Sequence, residues 1–341
     1  MPGPVLTMKS SKSAGRNAEG LMLPMKTGSD RRPWRHALLS LALCFAVSPA
    51  AAAPDVVVSI KPVHSLIAGV MAGVGNPALI VAGSTSPHVY ALRPSDAQRL
   101  AAARLVFWIG PIFESFLVKP LAALANKAEI VELDRAPAIE LLPAREGGPW
   151  EPHADEPGHR PDSGRGAASN EMDGHLWLDP ANAKAITAIA ASRLAAVDPA
   201  NAVRYRENAA TLIRQLDGLD AALEERLWPL RERPFVVFHD AYQYLTRRYD
   251  LAAVGSITVS PEHPPSARRI EAIHAKVASL HARCVFREPQ FAPHLVDTVI
   301  AGTTAQAAVL DPEGTELPPG TALYFTLMTG LADGLVNCLD R

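Results

Sequence analysis

No apolar run in this chain is long enough to cross a bilayer, which excludes a protein built on membrane-spanning helices. There is no His-Glu-x-x-His or comparable pairing of metal ligand with general base, so nothing marks hydrolytic metal chemistry. No internal repeat is present beyond an alternation of strand-like and helix-like segments. Basic charge is not in excess, with 33 Lys and Arg against 35 Asp and Glu, and cysteine is scarce, with three residues. What is present is 341 residues, 48% of them hydrophobic and 20% charged, enough for two ordinary globular domains.

The N-terminus stands apart. Arg31, Arg32 and Arg35 precede an apolar run from Ala37 to Val47, and Ser48-Pro49-Ala50-Ala51-Ala52-Ala53 follows. A basic segment, a short apolar segment and a small-residue cleavage site read as a secretory signal, with a buried N-terminal helix as the alternative. Residues 1–53 are therefore assigned to an export signal and N-terminal extension. Arg31-Arg32 bears a faint likeness to the twin-arginine signal. Cys44 follows Leu43, where a lipoprotein signal wants a small residue, which argues against a lipid anchor. Removing this segment takes away seven of the basic and two of the acidic residues, leaving 26 and 33 and a net charge of −7. Nucleic acid is then not expected as a partner. Cys284 and Cys338 remain, in an exported chain most simply one disulfide, with two separate buried thiols as the alternative.

The remaining chain reads as two α/β units and a helical connection. Strands are expected at 55–60, 78–81 and 104–109, with a helix opening at Pro62 and Ser95 and Gln98 fitting a capping box. Gly110-Pro111 breaks the third strand before a helix carrying Glu114. From Arg145 to Gly174 periodicity gives way to Gly, Pro, Asp, Glu and the histidines His153 and His159, as in a mobile surface loop. Asp179-Pro180 and Asp198-Pro199 are helix starts. Leu212, Leu216, Leu219, Leu223 and Leu227 then recur at helical spacing. A helix over 199–230, roughly 45 Å at 1.5 Å per residue, fits a rigid connector. Gly218 in its middle costs about 1 kcal/mol relative to Ala, so a packing reason or a slight bend is expected there. The second unit has strands at 235–238, 252–255, 284–287 and 307–310, a helix over 266–280, and a terminal helix marked by Leu327, Leu331 and Leu335. Strands alternating with helices imply mostly parallel sheets.

Polar residues sit where these strands end. His239 closes Phe235-Val236-Val237-Phe238, Asp311 follows Ala307-Ala308-Val309-Leu310, and His88 ends the loop after Ala78-Leu79-Ile80-Val81, while His175 lies in Gly174-His175-Leu176-Trp177-Leu178-Asp179-Pro180. Strand ends are where α/β sheets bind ligands, and three imidazoles with a carboxylate suit a divalent metal of borderline softness, zinc first. Glu114 and Glu288 also follow strands and are candidates to orient a ligand imidazole, with buried structural carboxylates as the alternative. Asp311 before Pro312 suits a turn or cap as well as it suits a ligand. Beside His239, Asp240 is the better helix cap, which leaves the imidazole available. His64, His263, His274, His281 and His294 are assigned to surface or structure.

The order Ser86-Pro87-His88-Val89-Tyr90-Ala91-Leu92-Arg93-Pro94-Ser95-Asp96, the His175 segment, Val237-Phe238-His239-Asp240-Ala241-Tyr242, Ile257-Thr258-Val259-Ser260-Pro261-Glu262, Phe286-Arg287-Glu288-Pro289-Gln290-Phe291 and Leu310-Asp311-Pro312 resembles the periplasmic metal-binding proteins of bacterial ABC importers, specifically the zinc-binding ZnuA type. The resemblance covers Asp55 to Arg341. It implies two α/β lobes, 54–198 and 231–341, joined by the long helix over 199–230, with metal in the cleft between them. It implies that His88, His175 and His239 are zinc ligands and that Asp311 approaches or binds the metal. Manganese-type relatives place a glutamate where this chain has His239, which favours zinc here. Some zinc members carry a carboxylate where this chain has Pro87, which leaves the fourth position to Asp311 or water. The segment 145–174 resembles a charged, His-rich loop of the zinc members, where His153 and His159 would form a weak auxiliary site, although a solvated loop without metal is equally open. Zinc members have cysteines matching Cys284 and Cys338.

The function expected is non-catalytic capture of Zn²⁺ in the periplasm and delivery to an ABC permease and its ATPase, by a monomer that touches the inner membrane only through the permease. Manganese or iron import, adhesion, and a zinc hydrolase are the rivals.

Overall fold

The computed structural model describes residues 53–145, 150, 171–258 and 265–340. Residues 1–52 of the expected signal segment, His153, His159, His263 and the Val259–Glu262 part of one motif lie outside them.

The first sheet contains β1 (Val56–Val58), β2 (Ala78–Leu79), β3 (Leu105–Trp108) and β4 (Glu129–Glu132), all parallel, in the order β2-β1-β3-β4. Every residue of β1 and β3 is buried, as continuous apolar runs require when both sheet faces are covered. The second sheet, β5 (Phe235–His239), β6 (Ala253–Thr258), β7 (Cys284–Arg287) and β8 (Gln306–Val309), has the order β6-β5-β7-β8, again parallel. In each sheet the chain moves outward on one side of the first strand and returns on the other, which opens a crevice at the carboxyl ends of the two middle strands.

Helices α1 (Lys61–Val70), α2 (Pro94–Ala102), α3 (Val118–Leu124) and α4 (Pro180–Val197) accompany the first sheet, and α6 (Gln243–Arg248), α7 (Ala267–Ser279) and α8 (His294–Ile300) the second. Between them runs α5 (Ala202–Leu227), extended by 3-10 turns at Pro199–Asn201 and Trp228–Leu230, so the helical path covers the expected 199–230. It buries Tyr205, Ala209, Leu212, Leu216, Leu223 and Leu227, a stripe at helical spacing. The terminal α9 (Leu323–Leu339) is tied to α1 through Tyr324 N, which donates to Ser65 Oγ at 3.0 Å.

One continuous apolar core joins the lobes: Val58 and Phe107 from the first sheet, Leu212 and Leu216 from α5, Phe235 and Phe286 from the second sheet, and Leu327 and Leu331 from α9. Polar ties cross the seam. Trp177 Nε1 donates to Pro312 O at 2.8 Å, and Tyr244 OH donates to Asp173 O at 2.8 Å. Buried Lys61 donates to the carbonyls of Gly314, Thr315 and Leu317.

Three expectations change. The cap of α2 is two residues earlier than Ser95, because Asp96 accepts from Arg93 N at 3.1 Å and Pro94 opens the helix. β4 is an additional strand. Gly218 has no packing reason, since a Cβ there meets nothing within 4 Å.

Candidate metal centre

His239 is the last residue of β5, and Glu288 is the first residue after β7, its neighbour in the sheet. That adjacency places the Glu288 carboxylate 2.6 Å from His239 Nδ1. Because a carboxylate accepts, Nδ1 carries the proton and Nε2 presents its lone pair. His175 is fixed in the same way from the other lobe. Asp173 Oδ1 accepts from His175 N at 2.9 Å and lies 2.8 Å from His175 Nδ1. The two Nε2 atoms meet at 3.2 Å. His88 arrives from a 3-10 turn, Pro87–Val89, after β2, with its backbone N–H bonded to Ser86 Oγ at 3.3 Å. One nitrogen from each of His88, His175 and His239 lies within 4.8 Å of the other two.

The remaining sequence candidates divide. Glu288 lies against an imidazole, at His239 Nδ1. Glu114 does not: its carboxylate accepts from Ser59 Oγ, Ile109 N and Gly110 N, and so closes the turn after β3. Asp311 does not join the three histidines. Its two oxygens are taken by Glu313 N at 3.1 Å, Gly314 N at 2.9 Å, Thr315 N at 2.6 Å and Thr315 Oγ1 at 2.8 Å, an arrangement in which an aspartate organises a turn. Asp240 does not cap α6, whose N-cap residue Tyr242 makes no side-chain bond. Instead it pairs bidentately with Arg145, which also stacks on Trp150 at 3.7 Å. Asp173, which lies against both His175 N and Nδ1, is not among the residues the sequence marks; its two-residue offset from His175, typical of an aspartate bonding a nearby backbone N–H, is the signal that could have marked it. His64 and His274 are structural, bonded to Pro77 O at 3.0 Å and Val299 O at 2.9 Å. A disulfide joins Cys284, at the start of β7, to Cys338 in α9, with Cα atoms 6.2 Å apart.

Burial pushes the His88 and His175 imidazoles well below their ordinary 6.5, and the neighbouring imidazoles push the same way. Burial also lowers His239, but the Glu288 carboxylate, with Asp240 and Asp173 behind it, more than offsets this and raises it. Asp173 is pushed up to about 7 by burial, against the His175 backbone bond and the Arg145 charge that favour its ionised form. Three imidazoles with converging nitrogens, two of them with a carboxylate at Nδ1, form a ligand set for a borderline divalent ion, and orienting carboxylates behind such imidazoles are a recurrent feature of zinc sites.

The family model described as "Zinc-uptake complex component A periplasmic" matches residues 56–338. The chain is 44% identical over 312 residues to the high-affinity zinc uptake system protein ZnuA of Brucella suis, covering 84% of this chain and 92% of that one. It is 34% identical over 310 residues to the protein of the same name in Yersinia pestis, covering 89% and 97%. Its fold is similar to a crystal structure of ZnuA, with a TM-score of 0.69 at 24% identity, covering 84% and 99% of the two chains. It is equally similar in fold to the periplasmic zinc-binding protein TroA of Treponema pallidum, with a TM-score of 0.69 at 22% identity and the same coverage. The chain belongs to the ZnuA family of periplasmic zinc-uptake components.

Proposed function

We propose that this chain captures Zn²⁺ in the periplasm with His88, His175 and His239 and delivers it to an ABC permease and its ATPase. The observation that carries the reading is the convergence of three imidazole nitrogens within 4.8 Å, two of them held by carboxylates from opposite lobes. In this reading 54–198 and 231–341 are the lobes, 199–230 is the rigid connector, and 1–53 directs export and is removed. Water takes the fourth zinc position, because the Asp311 oxygens are committed to the 313–315 backbone and the Thr315 hydroxyl. The protein acts as a monomer and reaches the inner membrane only through the permease. It is non-catalytic: Asp173 and Glu288, the carboxylates behind the imidazoles, are engaged in orienting them rather than placed to take a proton from a substrate. Three nitrogen donors favour zinc over manganese. His153 and His159 would add a weak auxiliary site.

Metal analysis of mature protein purified without added metal tests the assignment. The expected result is one tightly bound zinc per chain, with affinity at least tenfold weaker in each of His88→Ala, His175→Ala and His239→Ala. At free zinc a thousand times the dissociation constant, binding stabilises the fold by about 4 kcal/mol. Equal zinc-induced melting shifts in wild type and all three variants overturn the site.

A further inference from the structure

Phe113 touches two of the three converging imidazoles. Its ring centroid lies 4.6 Å from that of His88 at an interplanar angle of 67° and 5.1 Å from that of His175 at 80°, and it faces Trp177 at 4.9 Å and 74°. All three contacts are edge-to-face, the arrangement aromatic quadrupoles favour. Phe113 is 3% exposed. A phenyl ring offers no lone pair and no exchangeable proton, so it restricts the imidazoles without competing for the metal or for their nitrogens.

The seat of this ring is built from both sides. After β3 the chain turns at Gly110, whose φ of +146° disfavours any side chain, and a Cβ there would fall 2.1 Å from the Asp134 carboxylate. Phe113 N and Glu114 N both donate to Gly110 O, at 3.1 and 3.0 Å. The buried Glu114 carboxylate then folds back onto Ile109 N and Gly110 N. On the other side Gly174 directly precedes His175, and a Cβ at Gly174 would come within 2.8 Å of Phe113 Cβ. The turn after a central strand thus holds the ring rigidly, while His88 comes from the irregular segment between β2 and α2.

We propose that Phe113 is a positioning residue for metal binding: wedged between His88 and His175, it sets the angle between their imidazoles and thereby the affinity and coordination geometry of the site. Asp173 and Glu288 fix tautomer and direction for His175 and His239, whereas Phe113 transmits the rigidity of the first sheet to His88. The inference rests on the reading that the three histidines hold the metal.

Zn²⁺ affinity by chelator competition, the visible absorption of the Co²⁺-loaded protein and the melting of the metal-free protein are measured for wild type, Phe113→Leu, Phe113→Ala and His88→Ala. Leucine refills most of the volume without the ring edges. Phe113→Leu is therefore expected to melt near wild type yet bind Zn²⁺ roughly three- to tenfold more weakly, about the size of one or two aromatic contacts, with displaced Co²⁺ bands. Phe113→Ala is expected to lose at least as much affinity. Wild-type affinity and Co²⁺ bands in Phe113→Leu, alongside a loss in His88→Ala, overturn the role of Phe113 and leave the three-histidine site standing. Wild-type binding in His88→Ala overturns both.

Discussion

His239 Nδ1 and Glu288 Oε1 stand 2.6 Å apart, fully buried, at the carboxyl ends of adjacent parallel strands. The carboxylate fixes the tautomer that turns the Nε2 lone pair toward His175, and its charge makes that nitrogen a stronger donor. Glu288→Gln keeps the shape and removes the charge. It is expected to weaken zinc binding by about ten- to a hundredfold, the usual size of an outer carboxylate's effect. Asp173→Asn, acting on His175 from the opposite lobe, should fall in the same range. Chelator competition reads both, and unchanged affinity in either variant contradicts the orienting role of that carboxylate.

Proton release follows from the same charges. The raised His239 holds a proton at pH values where a free imidazole has lost it, and Asp173, pushed up to about 7 by burial, holds a second on its own carboxyl. Zinc displaces these protons, so affinity falls as pH drops, beginning above 6.5 rather than below it. His88 and His175, lowered well below 6.5, are already neutral in this range and add no steepness until more acid pH. Calorimetry at pH 6.5 in buffers of different ionisation enthalpy should give about one to two protons released per zinc. Zero release contradicts this assignment.

The placement of His239 was legible because strand ends are, whereas His88 and His175 lie at 3-10 turns away from any strand end. Buried β-branched and aromatic runs mark their own limits, and β7 occupies the expected Cys284–Arg287. β4 was not, since its sequence Glu-Ile-Val-Glu is short and half polar, and its register against β3 supplies what its composition lacks. Carboxylate roles were the least legible. Glu114, Glu288 and Asp311 all follow strands, yet one closes a turn, one orients an imidazole and one organises the 311–315 loop. What separates them is which backbone N–H groups lie within about 3 Å, and that depends on turns such as the one at Gly110. Asp173 lay in a segment without periodicity, where only the two-residue offset to His175 carried information.

Asp311 gives a direct test of that distinction. With four hydrogen bonds into residues 313–315, its removal should loosen the loop that also receives Lys61 from α1. Asp311→Ala is expected to destabilise the metal-free protein by about 1–3 kcal/mol, the cost of leaving buried donors unpaired, and to weaken zinc less than any of the three histidine variants. Thermal melting with and without zinc separates the effects. A loss of zinc binding as complete as that of His239→Ala, in a variant that melts like wild type, would make Asp311 a ligand.

The disulfide ties the start of β7 to the end of the chain. Cys284 is fully buried in the strand that leads to Glu288, and α9 packs against α1 and α5 as well as β8, so the bridge anchors a helix serving both lobes. The loop it closes spans 54 residues in sequence, which in the chain-entropy account corresponds to about 4 kcal/mol of constraint on the unfolded state. Neither sulfur belongs to the three-histidine group. Reduction, or Cys338→Ser, should therefore lower the melting temperature by several degrees while leaving one zinc per chain and its affinity within about threefold of wild type. Two free thiols in oxidised, exported protein, read by alkylation and mass spectrometry, would contradict the bridge. Loss of zinc from a folded Cys284→Ser protein would show that Glu288, and through it His239, depends on the bridge for its position.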